Sequence, residues 1–180
     1  MSAFSALPAV MCLLCLGACA SLSESECQRG DWEQIGFRDG QNGRPMARFD
    51  EHREACTPYG VAPAELPYRA GRDRGLNFYC TPANALAVGR RGENYAGVCP
   101  VWAERSFLPA YEVGRDIYVA RQRVERLEQD RRMIEMRLAA ARTRDEARYW
   151  SGQMARTEIE RDFARMDMLL RESRAGSVRY

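Results

Sequence analysis

The sequence predicts a mostly α fold: a small disulfide-stapled, glycine-rich helical domain followed by a long antiparallel helical hairpin with coiled-coil character. Three observations carry this expectation. Residues from about 27 to 110 concentrate glycine, proline, aromatics and four cysteines, whereas the chain beyond about 112 has no cysteine or proline. In the first region an apolar residue repeatedly precedes a glycine that Arg or Asp follows. In the second, apolar residues recur at alternating steps of three and four, the spacing of a helical seam.

The first segment, "MSAFSALPAVMCLLCLGACASLSESE", has no charge before Glu24. Its apolar run, Leu7 to Leu16, is too short to span a bilayer and suits the core of a secretory signal. It ends in "LGAC", which resembles a bacterial lipobox, and the resemblance implies cleavage before Cys19 and acylation of that cysteine. Met11 and Leu14 precede Cys12 and Cys15 where a small residue is wanted. No Lys or Arg precedes the run, a departure from the pattern; an apolar core helix is the competing reading. Each buried acyl methylene contributes about 0.8 kcal/mol, so several chains anchor firmly. Ala20 stands where Asp marks inner-membrane retention in Gram-negative sorting, which points to the periplasmic face of the outer membrane. The expected organisation is a signal over 1–18, a lipidated and flexible tether over 19–30, and the cysteine- and glycine-rich domain over 31–112. A hairpin over 113–174 and a disordered end over 175–180 follow.

The net charge of +2 supplies no basic field for nucleic acid, and all 27 cations are arginines. With the signal removed and Cys19 acylated, Cys27, Cys56, Cys80 and Cys99 remain. An even number in an exported chain predicts two disulfides, in one of three connectivities. Helices over Trp32–Asn42 and Met46–Cys56, read as a hairpin, bring Cys27 to Cys56. Cys80 and Cys99 then clamp the helix around Ala83–Gly92.

The repeated units are "WEQIGFRDGQNG", "YRAGRDRGLNFYC", "ALAVGRRGENYAGVC" and "YEVGRDIY". Glycine costs about 1 kcal/mol against alanine inside a helix. Its use at Gly36/Gly40 and Gly71/Gly75 therefore predicts close helix–helix approach, with Trp32, Tyr68 and Tyr111 covering the groove one turn back. Spacing between the units is too irregular for a solenoid.

In the tail, Ile117, Ala120, Val124, Leu127, Arg131, Ile134, Leu138 and Ala141 form one seam. Thr143 and Glu146 have capping-box spacing and start a second helix, in which Ile159, Phe163, Met166 and Leu170 resume the seam. The expected hairpin spans about 106–142 and 144–174 with its turn near Ala141–Thr143. A single continuous helix pairing with another subunit is the alternative.

Candidate chemistry is sparse. "GRDRG" lacks the spacing of a dinucleotide fingerprint or a P-loop. No C-x-x-C occurs among the four cysteines. His52, the single histidine, lies four residues before Cys56, a spacing that could activate a thiol; the plainer reading is an exposed polar helix with Cys56 in a disulfide. Asp50, Glu51 and Glu54 read as a solvated face, and one histidine with scattered cysteines has no zinc spacing.

The segments "DWEQIGFRDGQNGRP", "EHREACTPYG", "YRAGRDRGLNFYC", "VGRRGENYAGVCP" and "FLPAYEVGRDIY" resemble DUF2799, a family of bacterial lipoproteins of unknown function. The resemblance covers about Cys27 to Tyr118. It implies export, lipidation and a cysteine-bearing domain with a helical tail, and it lends no mechanism. The expected role is a non-enzymatic, lipid-anchored envelope protein with no cofactor and no metal. Its 113–174 region would meet an envelope protein or its own copies. The alternative is a glycan- or small-ligand-binding module that uses Trp32, Tyr68, Tyr79, Tyr95 and Trp102 as stacking surfaces.

Overall fold

Local chemistry punctuates each helix. In the computed structural model, which describes residues 20–177, helix α1 (Glu24–Arg29) starts at a capping box. Ser23 accepts from the Glu26 amide, and the Glu26 carboxylate reaches back to the Ser23 amide. Asp31 caps α2 (Trp32–Gln41). Helix α3 (Arg48–Cys56) runs into a 3-10 turn, Thr57–Tyr59, and α4 (Glu65–Tyr79) follows. Thr81 caps α5 (Pro82–Arg91), whose first position is proline, and Gly92 ends it at a φ of 77°. Helix α6 (Val101–Ala139) and helix α7 (Arg144–Ser177) complete the chain. Among the described residues there is no strand. Cys19 lies outside the described residues, as do the expected signal over 1–18 and residues 178–180 of the expected disordered end.

The glycines decide which helices pair. A Cβ at Gly36 would overlap the Tyr68 carbonyl oxygen, and one at Gly40 that of Arg72. Reciprocally, Gly71 abuts the Glu33 carbonyl and Gly75 that of Phe37. Numbers rise together on both helices, so α2 and α4 run parallel at backbone contact. This corrects the expected α2/α3 hairpin: α3 has no glycine stripe to offer, and α2 turns its own to α4. Helices α5 and α6 repeat the device, with Gly89 against the Tyr111 carbonyl and Gly114 against that of Leu86.

Two disulfides sit at matching places. Cys27–Cys56 and Cys80–Cys99 have Cα separations of 5.5 and 5.6 Å. Each joins the residues that lie just before the two helices of a pair. The irregular sequence units thereby resolve into two copies of one device. Gly36 follows Cys27 by nine residues and Gly89 follows Cys80 by nine; Gly71 follows Cys56 by fifteen and Gly114 follows Cys99 by fifteen. Two apolar clusters follow the same division. One joins Cys27, Trp32, Ile35, Phe49, Cys56 and Tyr68, and the other Leu76, Tyr79, Cys80, Val88, Cys99 and Phe107.

Helix α6 runs unbroken through Pro109, so the hairpin arm grows directly out of the second helix pair. Its seam is buried or half-buried from Ile117 to Leu138. The turn at 140–143 carries the expected box: the Glu146 amide donates to Thr143 Oγ1 at 3.1 Å, and the Thr143 amide to Glu146 Oε2 at 3.3 Å. Helix α7 then returns antiparallel, tied by Arg165–Glu128 at 2.6 Å and Arg121–Glu172 at 3.1 Å. Arg137 lies over the Trp150 ring, and Arg90 of α5 also reaches Glu172.

Three expectations at the periphery are corrected. Residues 19–30 are no tether as far as they are described: Leu22 is buried and α1 places Cys27 in its bridge. Residues 175–177 belong to α7, with Ala175 buried. The seam of α7 is also different, because Ile159, Phe163, Met166 and Leu170 are all at least half exposed. The stripe turned to α6 is Ala147, Trp150, Met154, Thr157, Arg161, Ala164 and Met168. Small residues there let α7 approach the bulky Ile117, Val124 and Leu127, while Arg165 and Glu172 fix the rotation through their ion pairs. Gly152 faces open space on this helix. Gly152→Ala should therefore raise stability by about 1 kcal/mol, read as a higher thermal midpoint.

Candidate functional site

The chain's one histidine is not exposed. His52 is 1% accessible; its Nε2 lies 2.7 Å from Asp39 Oδ2 and its Nδ1 2.8 Å from Ser21 Oγ. Tyr68 Oη donates to the same Asp39 oxygen at 2.8 Å. With the imidazole Nε2–H donating to Asp39, Nδ1 is free to accept the Ser21 hydroxyl proton. A serine, an imidazole and a carboxylate in series have the order of a nucleophile, a base and an orienting group. Here each group comes from a different segment: the N-terminal strand of chain, α2, α3 and α4. The network thus fastens Ser21, two residues past Cys19, to the first helix pair, and satisfies groups that burial would otherwise leave costly.

The electrostatics agree with a lock. Burial pushes the Asp39 carboxyl upward, yet the hydrogen bonds from His52 and Tyr68 outweigh it and hold the group below its ordinary 3.8. Burial first, then the Asp39 carboxylate, push the Tyr68 phenol far above 10.0. A carboxyl depressed in the folded state adds stability above its unfolded value, and that stability disappears as pH falls through the lower folded value. The urea midpoint should therefore exceed that of Asp39→Asn by its full margin at pH 6. The margin should shrink as the pH drops below 3.8.

Tyr95 holds the corresponding place in the second unit, four residues before Cys99 as His52 is before Cys56. Its hydroxyl donates to Glu104 Oε1 at 2.8 Å and accepts from the Cys99 amide at 2.9 Å. Burial raises this phenol to about 12. Tyr111, paired to Tyr95, donates to the Glu93 carbonyl.

These placements reduce the expected stacking set. Trp32, Tyr68 and Tyr79 are buried, with Tyr68 against Phe49 and Tyr79 stacked on Phe107. Tyr95 is half-buried and committed to Glu104 and Cys99. Core residues of a small domain need this aromatic area, so four of the five rings are packing surfaces. Trp102 alone is open, at 71% accessibility. Cys56 is bridged, which removes it as a thiol, while Asp50, Glu51 and Glu54 are solvated. Among the described residues no three His, Cys, Asp or Glu side chains cluster as a metal site, and no helix is long and apolar enough to cross a membrane.

The largest departure from an ordinary surface is on α7. Ile159, Phe163, Met166, Leu169 and Leu170 expose 51–73% of their area along its outer side. Scattered apolar residues are normal on a surface, and a run of five along one side of a helix sets this face apart. The three-four spacing revealed the stripe in sequence, though not the side it faces. The roles of Asp39 and Ser21 had no sequence signal, because their partner His52 lies on a helix with no apolar periodicity.

A family model described as "Protein of unknown function (DUF2799)" matches residues 31–116, from the cap of α2 to just past Gly114. The match thus takes in both glycine-packed pairs and stops short of α7 and of α6 beyond residue 116. No curated protein and no solved structure matches the chain.

Proposed function

We propose, for a chain whose residues 31–116 belong to the DUF2799 family, that it is a non-enzymatic envelope lipoprotein that binds another protein through its α6/α7 hairpin. The observation that carries this reading is the outer stripe of α7, Ile159, Phe163, Met166 and Leu170. Their 4-3-4 spacing is that of a coiled-coil seam, and α6 already occupies a different face of the helix. The lipobox-like "LGAC" supports an acyl anchor on Cys19, and Ala20 supports the periplasmic face of the outer membrane. Two disulfides suit an oxidising compartment.

Charge favours a separate protein over a second copy. An antiparallel copy, which pairs Ile159 with Leu170 and Phe163 with Met166, brings Glu160 beside Asp167 of the other chain. A parallel copy brings Asp162 beside Asp167. Like charges flanking a seam oppose pairing. An apolar helix or groove with basic flanks fits better.

A photo-crosslinking residue at position 163, in intact cells, should yield one dominant heterologous adduct. Met166→Glu with Leu170→Glu should abolish that adduct and leave the thermal midpoint unchanged, because both side chains are exposed. An adduct with the chain's own copies, or none, would refute the reading. Cys19→Ala should move the protein from the membrane pellet to the soluble fraction.

A further inference from the structure

Beside the second disulfide lies a cavity of about 490 Å³ to which α7 contributes no lining residue. One wall is the outer face of α4, with Asp73 and Asn77 one turn apart. The lining also takes in Trp102, in the first turn of α6, together with Val98, Cys99 and Pro100. The nearby cations are already engaged. Arg72 donates twice to the Arg44 carbonyl, at 3.1 and 2.9 Å, and Arg74 pairs with Glu33 at 2.6 Å. By contrast Asp73, Asn77 and the Trp102 indole N–H have no intramolecular partner among the described residues. Three exposed groups not committed to the fold therefore line one concave surface: a flat aromatic plate, a carboxylate and a primary amide.

We infer that this cavity is a saccharide-binding site. The indole face offers a platform to the C–H face of a pyranose ring. A ring whose substituents are all equatorial, as in β-1,4-linked chains, presents that face without obstruction. Asp73 accepts from sugar hydroxyls, and Asn77 can donate to and accept from a hydroxyl or an N-acetyl group. Arg74 is neutralised by Glu33, and Asp73 offsets Arg72, whose bonds to a neutral carbonyl leave its charge in place, so the lining has no net charge and suits a neutral ligand. Its edge is preorganised. Cys99 is bonded to Cys80 at the end of α4, and Pro100 fixes the turn into α6, so ordering costs little on binding. Asp73 and Asn77 belong to the glycine-packed helix of "GRDRGLNFYC", in which Gly71 and Gly75 face α2 while these two side chains face outward. The inference is independent of the hairpin reading, since it uses neither α7 nor a protein partner.

The test uses the purified full-length protein in a polyoxyethylene detergent, because glycosidic detergents would compete. Tetra-N-acetylchitotetraose and cellotetraose serve as probes, with titration by calorimetry and tryptophan fluorescence. Saturable binding of one or both is expected, with a fluorescence change. Trp102→Ala should weaken it at least tenfold, and Asp73→Asn or Asn77→Ala about threefold to tenfold. None of the three should shift the thermal midpoint, since all three residues are exposed. Binding of the N-acetylated probe alone would assign Asn77 to the acetamido group, and binding of both would assign recognition to the ring. Absence of saturable binding to either sugar would overturn the inference, as would binding that survives Trp102→Ala. Tetramethylammonium binding at the site without sugar binding would overturn it too, in favour of a cation held by Trp102 and Asp73.

Discussion

Gly71→Ala should be the most damaging single-methyl change in the protein, lowering stability by about 3 kcal/mol or more. The new Cβ would land on the Glu33 carbonyl oxygen, with the Phe37 amide close behind. Both are backbone atoms of a helix, so neither can rotate aside, and α2 and α4 must separate along their whole contact. Ordinary overpacking of a core costs about 1–3 kcal/mol because side chains can adjust. Here that relief is missing. Helix propensity works the other way, since alanine gains about 1 kcal/mol over glycine, and Gly152→Ala isolates that gain at a site without neighbours. A urea titration of both variants separates the two effects. If Gly71→Ala were as stable as the parent, the helices would not be in backbone contact.

Replacing Cys27 and Cys56 together by serine should cost about 3–4 kcal/mol, the chain-entropy value for a bridge spanning 29 residues. The expected loss is larger in effect than the same change at Cys80 and Cys99, whose separation is 19. The first bridge also locks α1 and the N-terminal segment to α3, beside the Asp39–His52–Ser21 chain. Losing it should therefore expose Ser21 and Leu22 first, read as faster amide exchange and as new proteolytic cleavage near residue 22. Equal protection there in the double serine variant would show that the hydrogen-bonded network holds the segment by itself.

How far the sequence could be read depended on whether a feature was local. The Thr143–Glu146 capping box, the α6 seam from Ile117 to Leu138 and the need of Gly36, Gly40, Gly71 and Gly75 for close approach are local statements, and each stands in the structure. The identity of the facing helix is not local. Gly36 requires a backbone nearby, but nothing in "WEQIGFRDGQNG" distinguishes α3 from α4 as its source. The same limit explains α7. It carries two stripes at seam spacing, and the more apolar one, with Ile159 and Phe163, is the one that apolar periodicity predicts to be buried. The turn and the ion pairs of Arg165 and Glu172 select the other. Pro109 lies inside α6, where its missing amide leaves one carbonyl of a 39-residue helix without its partner, too small a loss to break it. His52 was the hardest to place, since the burial of a lone histidine depends on an Asp thirteen residues earlier and a Ser thirty-one residues earlier.

The docking of Ser21 and Leu22 has a mechanical meaning for a protein anchored at Cys19. With the proposed acyl anchor in place, only Ala20 would separate Cys19 from the fastened chain, and two residue steps of extended backbone reach about 7 Å. The body would therefore lie flush on the bilayer like a limpet, unable to swing on a leash or sample distant targets. Any radius of action would have to come from α6, a rigid spar of 39 residues and roughly 58 Å.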